Sequence, residues 1–420
     1  MPPRLSTSSC RSSMLCTSSL NAGKRFPPAL AVHLNEYLHP YQPITPEFIR
    51  VVTGATSMHS ILGWAMANPG EAFLTSRPVY GNFEVDLGNM SSVKKVYADT
   101  TAHNCFGEDV VDAFEVALKR SNDAGVRVRT LLIVNPHNPT GKCYPRQTLV
   151  NIMKFCQKHN IHLLSDELYS TSVFDSGEAT ALEFTSVLSI DTTGIIDPDL
   201  IHVEVGYSKD FAASGFRIAS LVTRSKSLLT AIDTTTRFFE PSGPSLAIAS
   251  AMLEDREWTR NFIESSRQRL AAAYKHVTAG LRDMGVEYLS GANAGFFVWI
   301  DLSPYLPTDL DGKQNAEYAL AKSLNAAGVF LNPCEEKSNQ PGWFRLVYAQ
   351  DADTITTALR RSVALPVSWM YLTVAKAACT TVQRREEQRT LPASLRNESE
   401  ELTIGLESII SVSVDLPYGI

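Results

Sequence analysis

The sequence predicts an α/β protein, in which a mostly parallel sheet with helices on both faces is followed by a smaller α+β domain. Two observations carry this reading. Short apolar strands alternate with helical patterns from about residue 48 to residue 222, the order that a parallel sheet covered on both faces requires. The texture changes at Gly285, beyond which strands at 286–288, 296–300 and 344–348 accompany helices near 314–326 and 352–362. At 420 residues the chain exceeds one ordinary domain. Its 44% hydrophobic and 20% charged residues are ordinary for a globular protein with a sizeable core. The expected divisions are a disordered or misjoined leader (1–21), a large domain (22–284), a small α+β domain (285–365) and a tail outside the fold (366–420).

Residues 29–38 (ALAVHLNEYL) carry apolar side chains at helical spacing, and Pro27 and Pro28 fall where a first turn tolerates proline. A strand at 48–52 breaks at Thr53-Gly54-Ala55-Thr56-Ser57, and a helix follows through 61–66. Strand, small-residue turn and helix together bind anions, because free backbone N–H groups and the helix dipole converge on the turn. A plain βα connection gives the same pattern. Strands at 72–74, 93–97, 130–134 and 161–164 then alternate with helices at 109–120 and 147–159. Further strands at 200–205 and 218–222 flank a small-residue turn, and 226–284 is mainly helical with an amphipathic run over 258–284.

Composition excludes several functions. A net charge of −6 and a pI near 5.9 argue against nucleic acid or an anionic membrane as partner. No stretch approaches the roughly 18–20 apolar residues that span a bilayer. Seven scattered cysteines without CxxC spacing fit a reduced compartment and give no zinc signature, and nine histidines contain no HxxxH pair. The expected location is cytoplasmic. The Ser-rich, acid-free residues 1–20 leave a mitochondrial presequence as the alternative.

Chemistry is concentrated at strand ends. Lys209 follows the strand at 200–205, and Arg217 stands beyond a small-residue turn. A lysine at the mouth of a sheet can lose its proton by burial and form a Schiff base with a carbonyl, and a nearby arginine can grip a phosphate. That pairing is what pyridoxal 5'-phosphate needs. Asn138 lies just after one strand, and Asp166 and Tyr169 just after the next. A buried carboxylate keeps the cofactor's ring nitrogen protonated, which Asp166 can do, and donors to its 3-oxygen are available in Asn138 and Tyr169. Lys209 is then the base and acid that moves the α-proton. Singly, each residue has a structural reading: Asn-Pro marks turns, a strand-end Asp caps helices and a Tyr packs. Their joint occurrence in this order favours the chemical one.

The stretches NPHNPTG, SDELY and SKDFAASGFR resemble the three signatures of the fold-type I pyridoxal-phosphate enzymes, the class I/II aminotransferases. CYPRQTL, SKDF and PGWFRLVYA are similar to the 1-aminocyclopropane-1-carboxylate synthase-like branch, and the resemblance covers roughly 22–363. It implies that Tyr80 stacks on the cofactor, that Ala55, Thr56 and Ser208 help Arg217 hold the phosphate, and that Arg345 binds the substrate carboxylate. It also implies an amino acid substrate and a homodimer. The chain departs from the family in having Gly206 where a hydroxyl residue often touches the phosphate. The family would place further sequence upstream of Asn21, and its domain closes before 366, so a truncated or misjoined gene is expected. The expected activity is transformation of an amino acid at Cα, with transamination first. Elimination chemistry (aminocyclopropane-carboxylate synthase-like or carbon–sulfur lyase) and a catalytically silent cofactor-binding relative are the alternatives.

Overall fold

The computed structural model describes residues 19–307, 315–333 and 338–363. The described residues belong to one compact unit that ends at Val363. The expected tail lies outside the described residues, as does nearly all of the expected leader. In chain order, α1 (Ser19–Leu38) leads to β1 (Ile49–Val52), α2 (Gly54–Met66), β2 (Ala72–Thr75), α3 (Phe83–Gly88) and β3 (Lys94–Tyr97). The segments α4 (Val110–Asp123), β4 (Val128–Val134), α5 (Arg146–His159), β5 (His162–Asp166) and β6 (Ile201–Gly206) follow. A single helical turn, α6 (Tyr207–Asp210), precedes β7 (Ala219–Thr223), and three helices come next: α7 (Lys226–Thr236), α8 (Gly243–Glu254) and α9 (Arg256–Asp283). The last elements are β8 (Phe297–Asp301), α10 (Ala316–Ala326), β9 (Trp343–Val347) and α11 (Ala352–Val363).

Seven strands form one sheet in the order β1-β7-β6-β5-β4-β2-β3. From β6 through β3 all neighbours are parallel; β7 runs antiparallel to both β6 and β1. Two reversals return β1 to the direction of the parallel strands. The carboxyl ends of β1, β4, β5 and β6 therefore share one edge, the edge at which such sheets bind ligands.

Both faces of the sheet are covered, which is why β4 ends in a continuous apolar run. Leu131, Leu132, Ile133 and Val134 of β4 are all buried. On one face Leu131, Ile133, Leu163 and Val203 pack with residues of α1, α4, α5 and α8; on the other, Leu132, Val134, Leu164 and Leu221 pack with α2, α3 and α7. This second face carries the site. Gly63 permits the tight approach of α2 to α3, since a Cβ there would overlap the Leu87 carbonyl oxygen.

Two sequence expectations change. Helix α1 begins at Ser19, so Pro27 and Pro28 lie inside it and not in its first turn. Proline removes an intrahelical donor, and burial of Phe26, Leu30 and Leu34 in the core offsets that loss. The expected strand at 286–288 is only an isolated bridge between Tyr288 and Ile300, because β8 finds its ladder with β9. Among the described residues, no helix is long and apolar enough to cross a membrane.

Candidate active site

Helix α2 opens the site. Gly54 takes φ +79°, a conformation that suits glycine, and Thr53 makes no side-chain cap to the first turn, which contains Ala55 and Thr56. Thr53 instead donates both its N–H and its hydroxyl to the Phe239 carbonyl, each at 2.8 Å. The Arg217 guanidinium closes over this helix start: a Cβ at Gly54 would stand 2.5 Å from Nη2. A cation thus lies beside the positive end of a helix, an arrangement that suits a phosphate.

Lys209 sits in α6, immediately after β6, with Ser208 in the same turn. Asp210 pins this turn. Its carboxylate accepts from the Ser172 hydroxyl at 2.5 Å, the Thr171 N–H at 3.0 Å and the Ser170 hydroxyl at 3.3 Å, which ties α6 to the loop after β5. Burial lowers the pKa of Lys209; the positive charges of Arg345 and Arg217 lower it further, and Asp166 opposes them. The Lys209 ammonium lies 5.5 Å from the centre of the Phe296 ring. At Gly206 a Cβ would meet the Leu168 Cδ2 at 2.7 Å, so the tip of a leucine crowds the space beside this glycine.

Asp166 ends β5 and is buried, accepting one hydrogen bond from the Leu168 N–H at 3.1 Å. Burial and the neighbouring Glu204 push its pKa up to about 7, against the opposing charges of His59 and Lys209. Tyr169 is buried edge-on against Phe296 and Phe297 in a small cluster that Ala55 also borders. Asn138 accepts from the Arg345 Nη1 at 2.8 Å, although the two are 207 positions apart in the chain. The loop around Asn138 is fixed to the second sheet, since the Gly141 carbonyl accepts from Asn293 and Ala294, just ahead of β8. The Tyr80 ring stands edge-on to Phe83 at 5.2 Å, and Asn82 donates to its hydroxyl at 3.2 Å.

The structure therefore brings Ala55, Thr56, Asn138, Asp166, Tyr169, Lys209, Arg217 and Arg345 to one edge of the sheet. Four further residues belong to the surroundings and were not singled out from sequence. His59 and Glu204 lie behind Asp166, Asp210 anchors the lysine turn, and Phe296 forms a wall. Asp210 carried a legible signal, an acid directly after the lysine. Glu204 carried a fainter one, an acid inside an apolar strand.

A family model described as aminotransferase class I and II matches residues 20–361. The human 1-aminocyclopropane-1-carboxylate synthase-like protein 1 is 31% identical over 343 residues, 79% of this chain and 66% of that protein. Arabidopsis thaliana 1-aminocyclopropane-1-carboxylate synthase 7 is 31% identical over 340 residues, 80% and 74% respectively. A synthase-like relative from Takifugu rubripes is matched over only 53% of its length. The chain thus spans between about half and three quarters of these relatives. Among solved structures, a Thermus thermophilus aspartate aminotransferase with maleate superposes with a TM-score of 0.67 at 21% identity, over 82% of this chain and 86% of that one. An aromatic aminotransferase from Pyrococcus horikoshii does so at 0.69 and 20% identity, over 84% and 86%. Both likenesses show the fold.

Proposed function

The chain belongs to the class I and II aminotransferase family, in its 1-aminocyclopropane-1-carboxylate synthase-like branch, and on that premise we propose that it transforms an amino acid at Cα, by transamination. The family works with pyridoxal 5'-phosphate, and the residues present fit that cofactor: Arg217 closes on the start of α2 where Gly54 leaves room, and Asp166 is a buried acid facing cations. Bound there, the cofactor supplies an electron sink for negative charge at the substrate Cα.

The chain's own residues divide the remaining work. Arg217, Ser208 and the first turn of α2 with Ala55 and Thr56 hold the phosphate. Asp166 holds the ring nitrogen's proton, Asn138 and Tyr169 address the ring oxygen, and Tyr80 lies against the ring. Arg345, oriented by its hydrogen bond to Asn138, takes the substrate carboxylate. Lys209, whose Nζ holds its proton less firmly than a free lysine, takes the proton from Cα and returns it. The observation that carries this reading is the half-buried Lys209 after β6, which feels the charges of Asp166, Arg217 and Arg345, residues far apart in the chain.

Purified chain mixed with pyridoxal phosphate should develop a visible absorbance band that Lys209→Ala abolishes, and an amino-donor panel should yield keto acids. Absence of the band in the parent chain would overturn the reading. Elimination is the second reading, favoured by relatives named as aminocyclopropane-carboxylate synthases. Products from S-adenosylmethionine or cysteine conjugates, without keto acid exchange, would select it. A homodimer and cytoplasmic location complete the proposal, and light scattering with cell fractionation tests both.

A further inference from the structure

Behind Asp166 lies a charge pair that the proposed chemistry does not use. Asp166 and Glu204 are register partners on the parallel strands β5 and β6, so both side chains leave the same face of the sheet. Glu204 is fully buried. Among the described residues its one ion pair is with His59 of α2, whose Nε2 lies 2.7 Å from Oε2. The other imidazole nitrogen of His59, Nδ1, lies 3.4 Å from the Asp86 carboxylate on α3, and the ring is edge-on to Phe83 at 5.0 Å. Three carboxylates, from β5, β6 and α3, therefore surround one imidazole in a site closed to water, and Lys209 faces Asp166 from α6. Burial disfavours a charged imidazole, yet Glu204 and Asp86 outweigh it and push the His59 pKa up to about 10.

An unpaired Glu204 would be a like charge beside Asp166 and would hold a proton on one of the two acids. A cofactor whose ring nitrogen is protonated needs Asp166 ionised. We infer that His59 is a positioning residue that neutralises Glu204, and so keeps Asp166 free to ionise against the cofactor's ring nitrogen. The inference rests on the reading that Asp166 faces that nitrogen.

Pyridoxal-phosphate affinity, measured by absorbance titration between pH 6 and 9, tests it with a double-variant cycle. His59→Gln should weaken binding about tenfold near pH 7.5 and move its pH midpoint upward by about one unit. Glu204→Gln should move the midpoint downward. His59→Gln combined with Glu204→Gln should bind within about threefold of the parent, because the offending charge has gone with its partner. Parent-like binding by His59→Gln, or a double variant as weak as His59→Gln, would overturn the inference. If His59→Gln does not fold, the direction of the Glu204→Gln midpoint decides. In the apo parent chain, NMR titration of the His59 ring should show both nitrogens protonated at pH 8; a neutral ring at pH 7 would refute the pair. That titration stands even if the parent takes no cofactor, an outcome that would defeat the proposed function alone.

Discussion

Asp166 and Glu167 are consecutive, both are buried, and burial pushes both pKa values up to about 7. Asp166 ends β5 and faces Glu204 and His59 on the α2 side, whereas Glu167, just beyond the strand, turns to the 186–187 segment, whose Val187 packs on the other face. Glu167 is saturated by ordinary donors: the Ser186 hydroxyl at 2.6 Å, the Val187 N–H at 3.0 Å and the Ser165 hydroxyl at 3.2 Å. It clamps the 186–187 segment to the sheet. Asp166 has a single backbone donor and otherwise faces charges: Glu204, His59 and Lys209. Burial and a raised pKa thus do not separate a structural acid from a chemical one. The partners do.

Substitution should separate the two faces most sharply. Asp166→Asn should cost about a thousandfold in turnover with the fold intact, since it removes a preorganised charge at the reacting centre. Glu167→Gln should leave turnover within about twofold but destabilise the chain by about 1–3 kcal/mol, because an amide cannot accept all three hydrogen bonds. Kinetics and denaturant melts on both variants check the contrast, and equal effects on both quantities would erase it.

Protonation should distinguish them next. A carboxyl whose folded pKa is raised contributes stability that is fully present below its unfolded value, near 4, and is lost as pH rises through about 7. Apo-chain stability should therefore fall between about pH 4 and 7, with Asp210, raised to about 6 by burial, adding to the slope over the lower part of that range. Cofactor should remove the Asp166 share by setting a cation against it and leave the Glu167 share unchanged. Thermal melts with and without pyridoxal phosphate read this directly, as a melting-temperature gain on loading that grows with pH.

Gly206→Ser should have the smallest effect. The atom its Cβ would meet is the free tip of Leu168, which can turn aside, and the backbone at φ −162° accepts any residue. Stability should change by less than about 1 kcal/mol. Cofactor affinity should rise by about threefold if the new hydroxyl reaches the phosphate.

Much of the candidate site was legible in the sequence because its residues sit at strand ends, where a local signal and a topological rule coincide. Lys209, Asp166, Asn138 and Tyr169 all stand at or just beyond the ends of strands readable by their apolar runs. Arg345 was legible only through family resemblance, since in isolation it is a polar residue in a half-exposed strand. His59 and Glu204 escaped notice for a physical reason. One lies in the middle of a helix and the other in the middle of a strand, and only the β5–β6 register and the approach of α2 and α3 bring them together. The same limit explains 286–288, whose alternation resembles a strand but which lacks a ladder partner, and α1, where tertiary burial outweighs the proline signal.

Reduction with borohydride after incubation with pyridoxal phosphate, followed by peptide mass mapping, tests the central claim most directly. The account predicts a single pyridoxyl label on Lys209, lost in Lys209→Ala. A label on any other lysine, or none, would contradict it.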